Sequence, residues 1–336
     1  MRLYGWGRLI GLAVLTAGFI GARALETPTG VPVSIGTSYS IKSSSLGEDR
    51  EVLVALPEGY ETGADEYPVV YLPEGQWYFP FAADMMKRLA SRDQMPPSIL
   101  VAMKMENPKR FGLLQPGGEG SQKLAAFLRE ELIPFVEGNF RTNAHRTLMG
   151  WEYGGAFSLY VLAQQPDLFD AYIASSPFPI GEHNNDFSKV SAADPKFLFF
   201  GVSQNESVVN GGVEALEKKL QNEAIEGLSW QSHLAAGGDL IANHVTSPYP
   251  LFLAGLSHLH APYRPLKPQT SAEFHEMGGV EFAKKHYARR AEIYGTPEGI
   301  APQSIWWLLR IAAEGNDFPL FEEILNSVEI FSERFR

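Results

Sequence analysis

Apolar and polar positions alternate along this chain in two rhythms. A continuous apolar run at 67–72 has the character of a strand buried on both faces, and further strand-like segments follow at 98–103, 146–149, 171–174, 197–200 and 228–233. Between and after them, stretches at 80–91, 123–136, 155–165, 213–224 and 248–259 have helical character. Strand and helix taking turns in this way predict a mostly parallel sheet with helices on both faces, whose sites lie at the C-terminal ends of the strands. Upstream, Val31, Val33 and Ile35 alternate with Pro32 and Ser34, and a second run covers 51–56. With turns at Pro57-Glu58-Gly59 and Gly63-Ala64-Asp65, both read as antiparallel edge strands, where a proline is tolerated.

Past residue 265 the texture changes. Helices are predicted near 279–294, 303–314 and 319–334, separated by Gly295, Pro302, Gly315 and Pro319. The last two resemble a single helical-hairpin repeat, which cannot bury its own apolar face and so must pack on the main domain or on a partner protein. The expected organisation is a leader at 1–24, a main domain at 25–264 and a helical appendage at 265–336.

The leader rests on Arg2 and Arg8, an apolar run from Leu9 to Ile20, and Ala22-Arg23-Ala24, the layout of a secretory signal. The run is short for a membrane span, although an uncleaved anchor is the alternative. Cleavage removes Arg2, Arg8 and Arg23 and no acid, taking the net charge from −11 to −14. The expected location is periplasmic or secreted, with no membrane contact once the signal is gone. The acidic balance argues against nucleic acid as a partner. With no cysteine, the chain has no disulfide, no thiol nucleophile and no cysteine-bound zinc. No cofactor or metal motif is visible.

The most informative stretch is 146–155, a short apolar strand running into Gly150-Trp151-Glu152-Tyr153-Gly154-Gly155 and then a helix. This strand–turn–helix context is that of a nucleophile elbow, whose glycines let the chain turn sharply and present the central side chain. Here that residue is Glu152.

Residues 45–260 resemble the esterase D and siderophore-esterase family of α/β hydrolases, on the stretches 67–75, 127–142, 146–155 and 166–177. The resemblance implies the α/β-hydrolase fold, a small-molecule ester as substrate, and an elbow reading Gly-His-Ser-x-Gly-Gly. This chain departs from that pattern at the serine, which is Glu152, and shortly after Arg110, where the family often has an acid and Gly112 and Leu113 stand here.

By the same resemblance, His244 occupies the position of the base and Glu206 that of the acid, with Asp239 and Asp194 as competing acids. A carboxylate in that place fixes the tautomer and orientation of an imidazole that must take and return a proton. Backbone N–H groups of Tyr153, and of Gln76 or Trp77, are the expected oxyanion donors, and Trp151 and Tyr78 the expected pocket wall. His258 and His260, two residues apart on a helix, do not share a face and read as structural.

Three readings of Glu152 follow. It attacks carbon, as the aspartate does in an elbow of the Gly-His-Asp-Trp-Gly-Gly type. It serves as a general base, or attacks an acyl group. Or it marks an inactive relative that keeps its pocket for binding.

Overall fold

The computed structural model describes residues 30–235 and 244–327. The expected leader at 1–24 and the alternative acid Asp239 lie outside the described residues.

The apolar runs become a sheet of eight strands in the order β1-β2-β4-β3-β5-β6-β7-β8. These are β1 Thr37–Ser43, β2 Glu48–Ala55, β3 Tyr67–Leu72, β4 Ile99–Met103, β5 Thr142–Trp151, β6 Ala171–Ser175, β7 Lys196–Ser203 and β8 Leu228–Ala235. The β1–β2 hairpin joins β4 antiparallel at one edge, and the strands from β4 to β8 pair in parallel.

Register lines up one side-chain row across the sheet, Tyr71, Leu148, Tyr172 and Leu198, and the next row, Met149, Ile173 and Phe199, points to the opposite face. The first face is covered by α3 Glu119–Phe127, α4 Ile133–Asn139, α5 Tyr153–Gln164 and α6 Ser207–Asn222. The second is covered by α1 Gly75–Ala90 and α7 Pro248–Leu259. Because both faces are covered, strands such as β4 and β6 are buried along their whole length, which is why their sequences do not alternate.

Two expectations fail locally. Val31 and Val33 are exposed and outside any strand, while β1 lies further on, in a polar stretch with little apolar alternation. The helix expected at 123–136 is interrupted by a wide turn at 128–132, just before Pro134. A proline cannot donate the backbone bond that would keep that turn narrow. A short helix, α2 Lys109–Leu114, was not foreseen.

The C-terminal helices are α8 Ser271–Glu276, α9 Gly279–Tyr294, α10 Pro302–Glu314 and α11 Phe318–Asn326. They share their own apolar core around Phe274, Tyr287, Leu308 and Ile324. The end of α9 meets the start of β5, where Asn143 Nδ2 donates to the Tyr294 carbonyl at 3.4 Å. Among the described residues no helix is long and apolar enough to cross a membrane.

Candidate active site

The turn from β5 into α5 is imposed by its glycines. A methyl group on Gly150 would lie 2.3 Å from the Gly154 carbonyl, and one on Gly155 would lie 2.8 Å from the Ser175 carbonyl oxygen. Between them Glu152 takes φ 49° and ψ −114°, a conformation rarely adopted by residues with a side chain. Its N–H donates to Ser175 and its carbonyl accepts from Ala156 and Phe178, so the backbone is fixed from three sides.

Its side chain is fixed from two. Glu152 Oε2 accepts from Arg110 Nη2 at 2.6 Å, and Oε1 lies 3.3 Å from His244 Nε2. His244 Nδ1 is in turn 2.7 Å from Oε1 of Glu206, which sits in the turn after β7. The structure therefore brings Glu152, His244 and Glu206 into one line. Asp194, the other described candidate acid, pairs instead with Lys196 at 2.6 Å.

Four further residues complete the cluster. Glu206 Oε2 accepts from Ser176 Oγ at 2.6 Å and from the Ser203 N–H at 2.8 Å. Ser247, fully buried at the start of α7, lies 3.0 Å from Ser176 Oγ and accepts from Trp151 Nε1 at 3.1 Å. Its proton is directed at the His244 carbonyl oxygen, 2.9 Å away, or Glu206 Oε1, 3.3 Å away. On the opposite side, Arg110 from α2 packs against the rings of Trp77 and Phe111 and donates through Nε to Oε1 of Glu74. Glu74, Ser176 and Ser247 escape sequence reading because their partners are distant in the chain. Arg110 carries a signal through the resemblance, as an arginine without the acid that often follows it in the family.

Charge sets the protonation states. Hydrogen bonds to Glu152, and then to Glu206, outweigh burial and raise the His244 imidazole from 6.5 to about 9. Burial pushes the Glu152 carboxyl up, but the hydrogen bonds from His244 and Arg110 prevail and hold it below the ordinary carboxylate range. At neutral pH the pair is thus imidazolium and carboxylate.

Two expectations about the surroundings need correction. The Trp77 N–H donates to the Glu74 carbonyl at 3.0 Å within the first turn of α1, so it is not free for an oxyanion. Gln76 remains: like Tyr153 in α5, it lies in a first helical turn, where N–H groups have no intrahelical carbonyl. Tyr78 and Trp151, expected as pocket wall, are buried. Tyr78 packs edge-on against Trp151 and Phe252 at centroid distances of 5.7 and 5.8 Å, and Trp151 lies 4.6 Å from the His244 ring, holding it from behind. Beside Arg110, the rings of Trp77 and Phe111 are exposed and that of Tyr153 is half-buried. No cluster of three or more His, Asp or Glu suited to a metal occurs among the described residues.

Comparison with known proteins gives a consistent picture. Residues 43–210, half of the chain, match the family described as "Putative esterase". The siderophore triacetylfusarinine C esterase of Aspergillus fumigatus is 28% identical over 172 residues, covering 45% of this chain and 59% of that protein. The ferri-bacillibactin esterase BesA of Bacillus subtilis is 26% identical over 162 residues, covering 40% and 56% respectively. The chain thus spans less than two thirds of the length of these curated relatives. Among solved structures, an IroE-like serine hydrolase from Shewanella oneidensis superposes with a TM-score of 0.66 at 22% identity, over 88% of this chain and 99% of the other. The siderophore hydrolase EstA from Aspergillus nidulans gives 0.60 at 18% identity, over 70% and 99%. At these identities the structural likeness shows the α/β-hydrolase fold.

Proposed function

Because this chain belongs to the esterase family of α/β hydrolases, we propose that it hydrolyses a small-molecule ester with Glu152 as attacking carboxylate and His244 as proton donor. The observation that carries this reading is the placement of His244 between two carboxyl groups, 3.3 Å from Glu152 and 2.7 Å from Glu206. A serine must lose a proton to attack, so its histidine has to start neutral. A carboxylate needs no such help, and the useful histidine is then the protonated one.

The steps balance. Glu152 Oε1 adds to the ester carbonyl, and the oxyanion is met by N–H groups of Tyr153 and Gln76. The tetrahedral intermediate collapses as the His244 Nε2 proton passes to the departing alkoxide, leaving an anhydride on Glu152 and a neutral imidazole. That imidazole takes a proton from water, hydroxide adds to the substrate acyl carbon, and Glu152 leaves as carboxylate beside imidazolium. Glu206 fixes the ring through Nδ1 and balances its charge. The names of the curated relatives make siderophore esters the first substrates to try.

The second reading, binding without turnover, draws on Arg110. A carboxylate gripped at 2.6 Å by a buried guanidinium is a weakened nucleophile, and a neutralised site of this kind suits ligand capture.

One experiment separates them. The purified protein is offered p-nitrophenyl acetate and triacetylfusarinine C beside Glu152→Gln and Glu152→Ser. Turnover that falls by about 100-fold or more in Glu152→Gln, with hydroxylamine trapping a hydroxamate at residue 152, is the expected result. Equal rates in the parent and Glu152→Gln overturn the carboxylate mechanism, and ester turnover gained only by Glu152→Ser, with the same ester bound but not turned over by the parent, supports the binding reading. The same mass spectra report the N-terminus, expected at Leu25 after removal of a signal over 1–24.

A further inference from the structure

Glu74 stands just before α1 in a left-handed conformation, φ 65° and ψ 38°, with its side chain wholly buried. One of its oxygens accepts from Arg110 Nε. The other has no hydrogen-bond partner among the described residues and faces Gly154, where a methyl group would come within 2.9 Å of it. The guanidinium that Glu74 holds is the one that grips Glu152 Oε2 from its Nη2 at 2.6 Å. A single buried arginine therefore bridges two carboxyl groups, one inside the protein and one at the elbow.

Resting on the reading of Glu152 as the reacting group, we infer that Glu74 is a positioning residue: through Arg110 it sets how tightly Glu152 Oε2 is held, and so how freely Oε1 attacks. The physical basis is competition for one positive charge. When Glu74 is ionised, the guanidinium is shared and its grip on Glu152 slackens. When Glu74 is neutral, the whole charge bears on Glu152, which becomes a poorer nucleophile.

Among the described residues, the ionisable groups facing Glu74 are Arg110, Glu152 and the Tyr78 phenol. Burial raises the Glu74 carboxyl most strongly, Arg110 opposes this, and Glu152 adds to it, leaving the group at about 7 rather than 4.5. The two settings of the clamp thus exchange near neutrality.

The test follows the bridge to its far end, where Glu152 touches His244. In protein labelled with 13C at the histidine ring, the His244 resonance is expected to show two steps with pH. The smaller lies near 7, as Glu74 ionises, and the larger near 9, as the ring loses its proton. Glu74→Gln is expected to erase the first step and keep the second, and Glu74→Asp to retain a first step at a shifted midpoint. With an ester substrate, kcat of the parent should climb several-fold through pH 7. In Glu74→Gln it should stay at the low-pH level, with KM changed by less than about twofold.

A parent protein without the step near 7, or a Glu74→Gln protein that keeps it, overturns the inference. Should Glu74→Gln not fold, Arg110→Gln cuts the same bridge and must also remove the step. Because the resonance reports with or without turnover, failure of ester hydrolysis alone would remove the proposed reaction and leave this coupling standing.

Discussion

The strained backbone at Glu152 costs about 1–3 kcal/mol and persists only because its surroundings hold it there. At the same residue two cations converge, Arg110 on Oε2 and His244 on Oε1, and the second contact works in both directions. The imidazole at about 9 owes its shift first to Glu152 and then to Glu206. In Glu152→Ser its titration midpoint, read by histidine NMR, is expected to fall from about 9 towards 6.5 without reaching it, since Glu206 stays. The stability linked to a raised value is fully present below the unfolded midpoint and disappears as pH rises through the folded one. Between pH 7 and 10 the parent should therefore lose more of its urea resistance than Glu152→Ser does. Parallel losses would show that the two side chains do not interact in solution.

At the scale of elements, the elbow depends on close backbone approach. Gly150→Ala forces a methyl group to within 2.3 Å of the Gly154 carbonyl, and neither strand nor helix can retreat. A loss of about 3 kcal/mol is expected from the urea midpoint. Gly138→Ala, at an exposed position in α4 with nothing within 4 Å, should gain about 0.5–1 kcal/mol. Equal effects at the two sites would refute the steric account. The parallel strands were legible in the sequence because burial on both faces leaves continuous apolar runs, as in β3 with Tyr67–Leu72. β1 was not, because an edge strand needs little apolar surface, and the exposed Val31 and Val33 imitated one. In the site, Glu152 stands out in the sequence through the elbow, and Glu206 and His244 through the family resemblance; the structure brings the three side chains together. Arg110 and Glu74, 36 residues apart and on different elements, meet only through tertiary packing, which no local pattern records.

Over the whole molecule, the C-terminal helices join the main body through an unusually basic seam. His145 at the start of β5 and His260 after α7 lie with ring centroids 6.4 Å apart, and both contact Tyr294 at the end of α9. Among the described residues, both ring nitrogens of His260 lack a hydrogen-bond partner, as do Nε of Arg264 and two guanidinium nitrogens of Arg290. Burial lowers both imidazoles: for His145 the Asp170 charge opposes this and Lys196 adds to it, while His145 and Arg264 push His260 down further. A lowered value contributes stability above the ordinary histidine midpoint near 6.5, and that stability drains away as pH falls below it. His260→Phe removes one of the charges forced into the seam. Its advantage over the parent in urea should grow by about 1 kcal/mol or more between pH 8 and pH 5. A constant difference would exclude the seam as the acid-sensitive joint.

β5 touches this seam at one end and carries Glu152 just past the other, the seven residues from His145 spanning roughly 23 Å of extended chain. The helical appendage is accordingly mounted at the rear of the sheet, away from the mouth of the site. A surface or protein that grasps it, for instance by the outward-facing Trp306, would hold the molecule from behind and leave the opening turned towards arriving ligand.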